Sequence, residues 1–301
     1  MKCADLLLAW STVLAACGSS TPSPKHVETS KEQLSLAADA RMITIPAGPF
    51  VTGSTPEERE QAYDDYRLTS GSDAAREHKW FGVEIDRTRR DMPAYAIDLM
   101  PVTQAQYAEF VATGKALAPS ISEAAWKEQH FQQDFATQVE RFNWKEGRPP
   151  PGREDHPVVL VTWSEADAYC TWRGELAGAP RHLPSADEYE KAARGHEGIF
   201  YPWGNTFDPT KLNSGVHGPM DTEAVGSHLD GASPYGVLDA AGNVFQWTST
   251  PFPGDKMTVK GSAWEDFGGV GRGASLHGRD RNVRHVIVGF RCVADVLRAA
   301  D

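Results

Sequence analysis

Residues 235–249 read Tyr-Gly-Val-Leu-Asp-Ala-Ala-Gly-Asn-Val-Phe-Gln-Trp-Thr-Ser. Gly242 and Asn243, which tolerate left-handed backbone, stand among apolar and aromatic residues there, so the stretch predicts a tight turn packed against rings. Tyr201-Pro-Trp-Gly-Asn205 repeats the device, with Trp203 beside a turn made by Gly204 and Asn205. From Phe200 to Phe290 Gly, Asn, Asp and aromatics dominate, and helical signals nearly vanish beyond Gly195. Turns and short strands are expected, with most of the aromatics serving as pillars of the core.

The whole chain agrees with its turn-rich half. It has 27 Gly and 20 Pro in 301 residues, about 16% against a typical ~12%, which disfavours a helix bundle or coiled coil. With 40% hydrophobic and 24% charged residues it has material for a core, which excludes global disorder. A net charge of −11 argues against a nucleic-acid partner, which would call for a basic face. No repeat of 20 to 50 residues occurs, so solenoids and propellers are not expected.

The chain opens MKCADLLLAWSTVLAAC, with Lys2 as an early cation and an apolar run of 11 residues from Leu6 to Ala16. That run is well short of the ~20 residues that span a bilayer and ends in small residues, as a signal peptide does. A buried N-terminal helix is the plain alternative, but the polar GSSTPSPK that follows has nothing with which to cover it. Leu14-Ala15-Ala16-Cys17 resembles a bacterial lipobox, in which the cysteine becomes the acylated N-terminus. An ordinary secretory signal with a chance cysteine is the competing reading. The expected division is a signal peptide over 1–16, lipidated Cys17 and a polar tether over 17–40, and one domain over 41–298. Gly18 is not the Asp that resembles an inner-membrane retention signal. A lipid-anchored protein of the bacterial envelope, at the outer membrane and facing the periplasm or the surface, is therefore expected.

In the first half Met42 to Val51 alternates like a strand broken at Pro46, and Ala94 to Leu99 predicts another. Thr103 and Gln106 form a capping box for a helix running to about Thr113, with Gly114 past its end. Val158 to Thr162 reads as an apolar strand followed by a helix that Ser164 can cap. Ser185 and Glu188 open a further helix ending at Arg194. Gly53 to Met92 and Lys115 to His156 are highly charged or extended, and read as surface insertions.

Nine motifs in order carry a wider resemblance: IPAGPFVTGS, VTQAQYAEFV, HPVVLVTWSEADAYCTW, RHLPSADEYEKAARG, YPWGN, AVGS, YGVLDAAGNVFQWTS, VKGSAW and GFRC. Together they resemble the formylglycine-generating enzyme, or sulfatase-modifying factor, family over about Met42 to Asp295. The resemblance implies an irregular α+β fold of low secondary-structure content, related to C-type lectins. It implies one calcium site from the Asn213 side chain, the Ser214 carbonyl, the Asp221 side chain and the Glu223 carbonyl. A second calcium site would use Asp239, Gly242, Val244 and Gln246, the last a neutral residue where the family has glutamate. Ordinary Asx turns are the alternative for both.

Four cysteines allow three pairings on paper. In a lipoprotein Cys3 leaves with the signal and Cys17 is acylated, and the resemblance places Cys170 and Cys292 where the family has a structural disulfide. Oxygen-using members of the family carry two more cysteines between the segments matching Lys260–Trp264 and Gly289–Cys292, and those thiolates hold copper(I). Here the interval is EDFGGVGRGASLHGRDRNVRHVIV, without cysteine, and glycines such as Gly268 and Gly273 fall where the family has thiols. No copper is expected. His277, Arg279, Asp280, Arg281, Arg284 and His285 in that interval suit an anion or proton transfer; a solvated loop lining a pocket is the plainer reading. The candidate pocket is His277, Arg279, Arg281, Phe245 and Trp264.

Two functions follow. The first is a noncatalytic module that binds a peptide, glycan or envelope protein. The second is a cysteine-independent oxidoreductase that tailors peptides, as in family members that mature peptide siderophores such as pyoverdine.

Overall fold

The computed structural model describes residues 41–131 and 133–296. The expected signal, lipidated Cys17 and tether lie outside the described residues.

The break at Pro46 separates β1 (Met42–Ile45) from β2 (Gly48–Thr52). Thr55 and Glu58 then form a capping box for α1 (Pro56–Ser70), which Gly71 ends at φ 71°. This helix corrects the expectation of a surface insertion over Gly53 to Met92. Its Tyr63 and Tyr66, with Ala75 of α2 (Ala74–Glu77) and Phe81 of a 3₁₀ turn (Trp80–Val83), enter the main core. β3 (Thr88–Met92) pairs with β2, and β4 (Tyr95–Asp98) with β1. α3 (Gln104–Ala112) starts from the Thr103–Gln106 box as expected. The stretch Lys115 to His156 is likewise no surface insertion. It contains α4 (Glu123–Glu128) and buries Ile121, Trp126, Val139, Phe142 and Trp144. These anchors come from separate turns, so they leave no periodicity.

The run Val158 to Thr162 is buried but is not a strand. The Val158 N–H donates to the Val102 carbonyl and the Leu160 N–H to that of His285, while Leu160 itself sits at φ 60°. It is apolar because protein surrounds it, not because it pairs. α5 (Trp163–Ala177) is capped by Thr162 with Glu165, two residues before the expected Ser164. β5 (Arg181–His182) follows, and α6 (Ala186–Arg194) opens from the Ser185–Glu188 box. The remaining strands are β6 (Phe245–Phe252), β7 (Lys256–Lys260), β8 (Leu276–Asp280), β9 (Val288–Gly289) and β10 (Val293–Asp295).

Three sheets result. One runs β1-β4-β10-β5, a second is the β2-β3 pair, and the third runs β8-β7-β6-β9. β10 thus slots between strands formed far earlier in the chain, with Val293 opposite Ile97 on one side and His182 on the other. The Cys170–Cys292 disulfide, with Cα atoms 5.6 Å apart, ties α5 to the residue that leads into β10. The architecture is mixed and irregular, in keeping with the fold that the motifs imply. No helix of the described residues is long and apolar enough to cross a membrane.

Candidate functional site

β8 is an edge strand, and side chains two residues apart leave a strand on the same face. His277 and Arg279 accordingly enter one cavity of about 600 Å³. Phe245 and Phe252, at the two ends of β6, wall it, and Glu265 and Asp266 reach it from the turn after β7. Trp80 stands across from the strand, its ring edge-on to His277 at 6.3 Å, and Phe245 meets the same imidazole at 5.3 Å.

Three of the five expected pocket residues therefore meet: Phe245, His277 and Arg279. Arg281 lies past the end of β8, beside Asp255 at 3.5 Å and over the Trp163 ring. Trp264 is 2% exposed and stacks on Phe142, which makes it a core pillar and not a lining residue. Arg284 pairs with Glu165, and His285 packs on Phe131 and Trp126, so both hold the fold together. Trp80, Glu265 and Asp266 are the lining residues that motif reading overlooks. The adjacent carboxylates directly after VKGSAW are the signal that would find the last two.

Burial sets the charge states. His277 is pushed down to about 3 by burial, with Arg279 adding repulsion, so it stays neutral at physiological pH. Burial pushes Asp266 up to about 7, and the neighbouring Glu265 adds to this, although the Ala263 N–H opposes it. The sign of the pH effect follows. Between about pH 4 and pH 7 the native state keeps a proton on Asp266 that the unfolded chain has released, so this group's contribution to stability falls as pH rises. Asp266→Asn should flatten the pH dependence over that window by up to ~1.4 kcal/mol per pH unit, read from urea denaturation at stepped pH. An unchanged slope would refute the raised carboxyl.

The two expected calcium sites do not fit the ion. At the first, Asp221 accepts Arg153 through both oxygens, at 2.9 and 2.5 Å, and Arg141 approaches at 3.4 Å. Burial alone would raise the Asp221 carboxyl, yet these arginines, Arg153 foremost, hold it below its ordinary value. The Ser214 carbonyl accepts Gly218 N–H and the Glu223 carbonyl accepts the Asn243 amide. Asn213 Oδ1 is left without a partner, but one neutral oxygen does not offset two guanidiniums facing one carboxylate. At the second, Arg291 donates to Gln246 Oε1 at 2.5 Å and to the Asp239 carbonyl at 2.8 Å, and Gly226 N–H donates to the Asp239 carboxylate. Val244 N–H donates to the Gly242 carbonyl in the same loop. A fully buried guanidinium already supplies the positive charge there. Neither calcium nor a chelator should move the melting temperature in calorimetry; a rise with calcium would restore the sites.

Copper(I) does not fit either. Gly268 and Gly273 are not among the residues that line the cavity, and neither has room for a side chain: a Cβ on Gly268 would lie 2.9 Å from the Asp65 carbonyl oxygen, and one on Gly273 2.9 Å from Arg194 Cδ. The cavity's polar side chains are carboxylate, imidazole, guanidinium and ammonium, whereas the soft ion needs sulfur. Both cysteines among the described residues are joined to each other.

Comparison with known proteins agrees with this scaffold. The description "Sulfatase-modifying factor enzyme 1-like domain" matches residues 27–296. The Inactive C-alpha-formylglycine-generating enzyme 2 of Mus musculus is 30% identical, over 89% of this chain and 90% of its own. The Formylglycine-generating enzyme of the same species is 27% identical, over 87% of this chain and 77% of its own. Among solved structures, PvdO from Pseudomonas aeruginosa shares the fold with a TM-score of 0.62 at 18% identity, covering 85% of this chain and 94% of that one.

Proposed function

The chain belongs to the sulfatase-modifying factor enzyme 1-like family, and from that premise we propose that it is a lipid-anchored envelope protein that binds a peptide, glycan or partner protein without copper-dependent formylglycine chemistry. The observation that carries this reading is the lining of the cavity, where carboxylates, a guanidinium and aromatic rings stand and no thiol does. A relative at 30% identity whose name calls it inactive supports it. The anchor rests on Leu14–Cys17 and the polar tether that follows. The test incubates the purified protein with a Cys-x-Pro-x-Arg peptide, copper and oxygen, and follows the peptide by mass spectrometry. No conversion of cysteine to aldehyde is expected, and conversion would overturn the reading.

One observation favours a second reading, that of a cysteine-independent oxidoreductase tailoring peptides. A carboxyl held near 7 on Asp266 lines the cavity, and such a group can give and take protons near neutral pH.

A further inference from the structure

The cavity contains opposite charges that do not neutralise one another. Arg279 forms no ion pair within 4.0 Å among the described residues, although both carboxylates act on it through space. Its Nη1 donates one long hydrogen bond of 3.4 Å to the Gly278 carbonyl, and its buried Nε has no partner. Glu265 accepts only two long contacts from the Gln133 amide, at 3.3 and 3.5 Å. Asp266 accepts the Ala263 N–H at 2.7 Å through Oδ2. His277 Nε2 is buried and unpartnered as well. Half-buried charged and polar groups with so few protein partners are left to meet the complementary groups of a ligand. The two signs stand on different elements, β8 and the turn after β7, which holds them apart.

We propose that the cavity binds a zwitterion of the amino-acid class, with its carboxylate on Arg279 and its ammonium between Glu265 and Asp266. This rests on reading the cavity as a binding site. Lys79 and Lys256 also line the cavity, so both signs are present in it; a simple anion or cation would meet one sign only, and a neutral glycan neither. Trp80, Phe245 and Phe252 supply an apolar wall for the body of the ligand, and the Arg279 guanidinium already lies over the Phe245 ring at 5.7 Å. A volume of about 600 Å³ corresponds to some ~20 waters, room for a short peptide but not for a folded partner. Free amino acids and short peptides with both ends unblocked share this chemistry.

The test is calorimetric titration of the purified full chain with Gly-Phe-Gly in four forms: free, N-acetylated, C-amidated and doubly blocked. Free phenylalanine is a fifth ligand. The free tripeptide should bind, and blocking either end should weaken it by roughly tenfold or more. Arg279→Gln should abolish the sensitivity to amidation and Glu265→Gln should reduce the sensitivity to acetylation, each with a melting temperature no lower than that of the unsubstituted protein. Phenylalanine binding as tightly as the tripeptide assigns the site to free amino acids, and tripeptide binding alone assigns it to peptides; either result upholds the proposal. A doubly blocked peptide that binds as tightly as the free one would overturn it. Binding of a neutral oligosaccharide with all five ligands inert would overturn it and leave the broader binding function standing. Aldehyde formation on the Cys-x-Pro-x-Arg peptide without binding of any of the five would overturn both.

Discussion

Replacing Glu190 with leucine should cost about 3–5 kcal/mol of stability, the loss typical of breaking a buried ion pair from one side. Glu190, on α6, is 3% exposed and accepts Lys260 at 3.0 Å, Arg194 at 2.9 Å and the Gly53 N–H at 2.8 Å. One carboxylate thus joins α6 to β7 and to the end of β2. Its removal takes the counter-charge from two cations whose side chains have essentially no contact with solvent, leaving them only backbone carbonyls as partners. Burial works against ionisation of Glu190, yet Lys260 and Arg194 hold its carboxyl below the ordinary range. Glu190 is therefore ionised at neutral pH. For a domain with a total stability of ~5–15 kcal/mol, the variant should melt far lower or fail to fold. Urea denaturation measures the loss. A second substitution, Lys260→Met in the Glu190→Leu background, should recover part of it by removing one stranded charge. A single-variant loss below about 1 kcal/mol would show that the network contributes little.

Loss of the Cys170–Cys292 bond should be of similar size. The disulfide closes a loop of 122 positions, for which the chain-entropy account gives about 5 kcal/mol. It also acts at a vulnerable place. Cys292 N–H donates to the Asp98 carboxylate at 2.8 Å, and the next residue begins β10, the strand on which the first sheet closes. Without the crosslink, β10 must be found from the far end of the chain with only a few residues of register to hold it. The double variant Cys170→Ala/Cys292→Ala should lower the urea midpoint strongly and steepen the transition, because the uncrosslinked unfolded chain exposes more surface. A midpoint equal to that of the oxidised protein would refute a stabilising role.

Local chemistry was the readable part of the sequence. Thr103 with Gln106 and Ser185 with Glu188 mark helix starts because a hydroxyl and a carboxylate or amide three residues on satisfy each other's backbone donors. The same grammar at Thr55 and Glu58 announced α1, but the surrounding charge concealed it. Ser164 lost to Thr162 because Glu165 stands three residues after Thr162 and completes a reciprocal capping box with it. Val158 to Thr162 misled for a related reason: an apolar run reports burial, and burial alone does not distinguish a paired strand from an irregular segment enclosed by neighbours.

The sequence by itself determined the turn-rich scaffold, the family motifs, the lack of cavity thiols and the pairing partners available to Cys170 and Cys292, because each depends on residue identity at a given position. Only the tertiary structure decided what fills the expected cation sites and what lines the cavity. Arg153 and Arg141 reach Asp221 from a segment that looked like a surface insertion, and Arg291 reaches Gln246 from 45 residues away. Trp80, Phe245, Glu265 and Arg279 are likewise brought together from four separate elements. Coulomb interaction and desolvation depend on distances in space, and a chain that folds through long irregular loops does not record those distances in its local pattern.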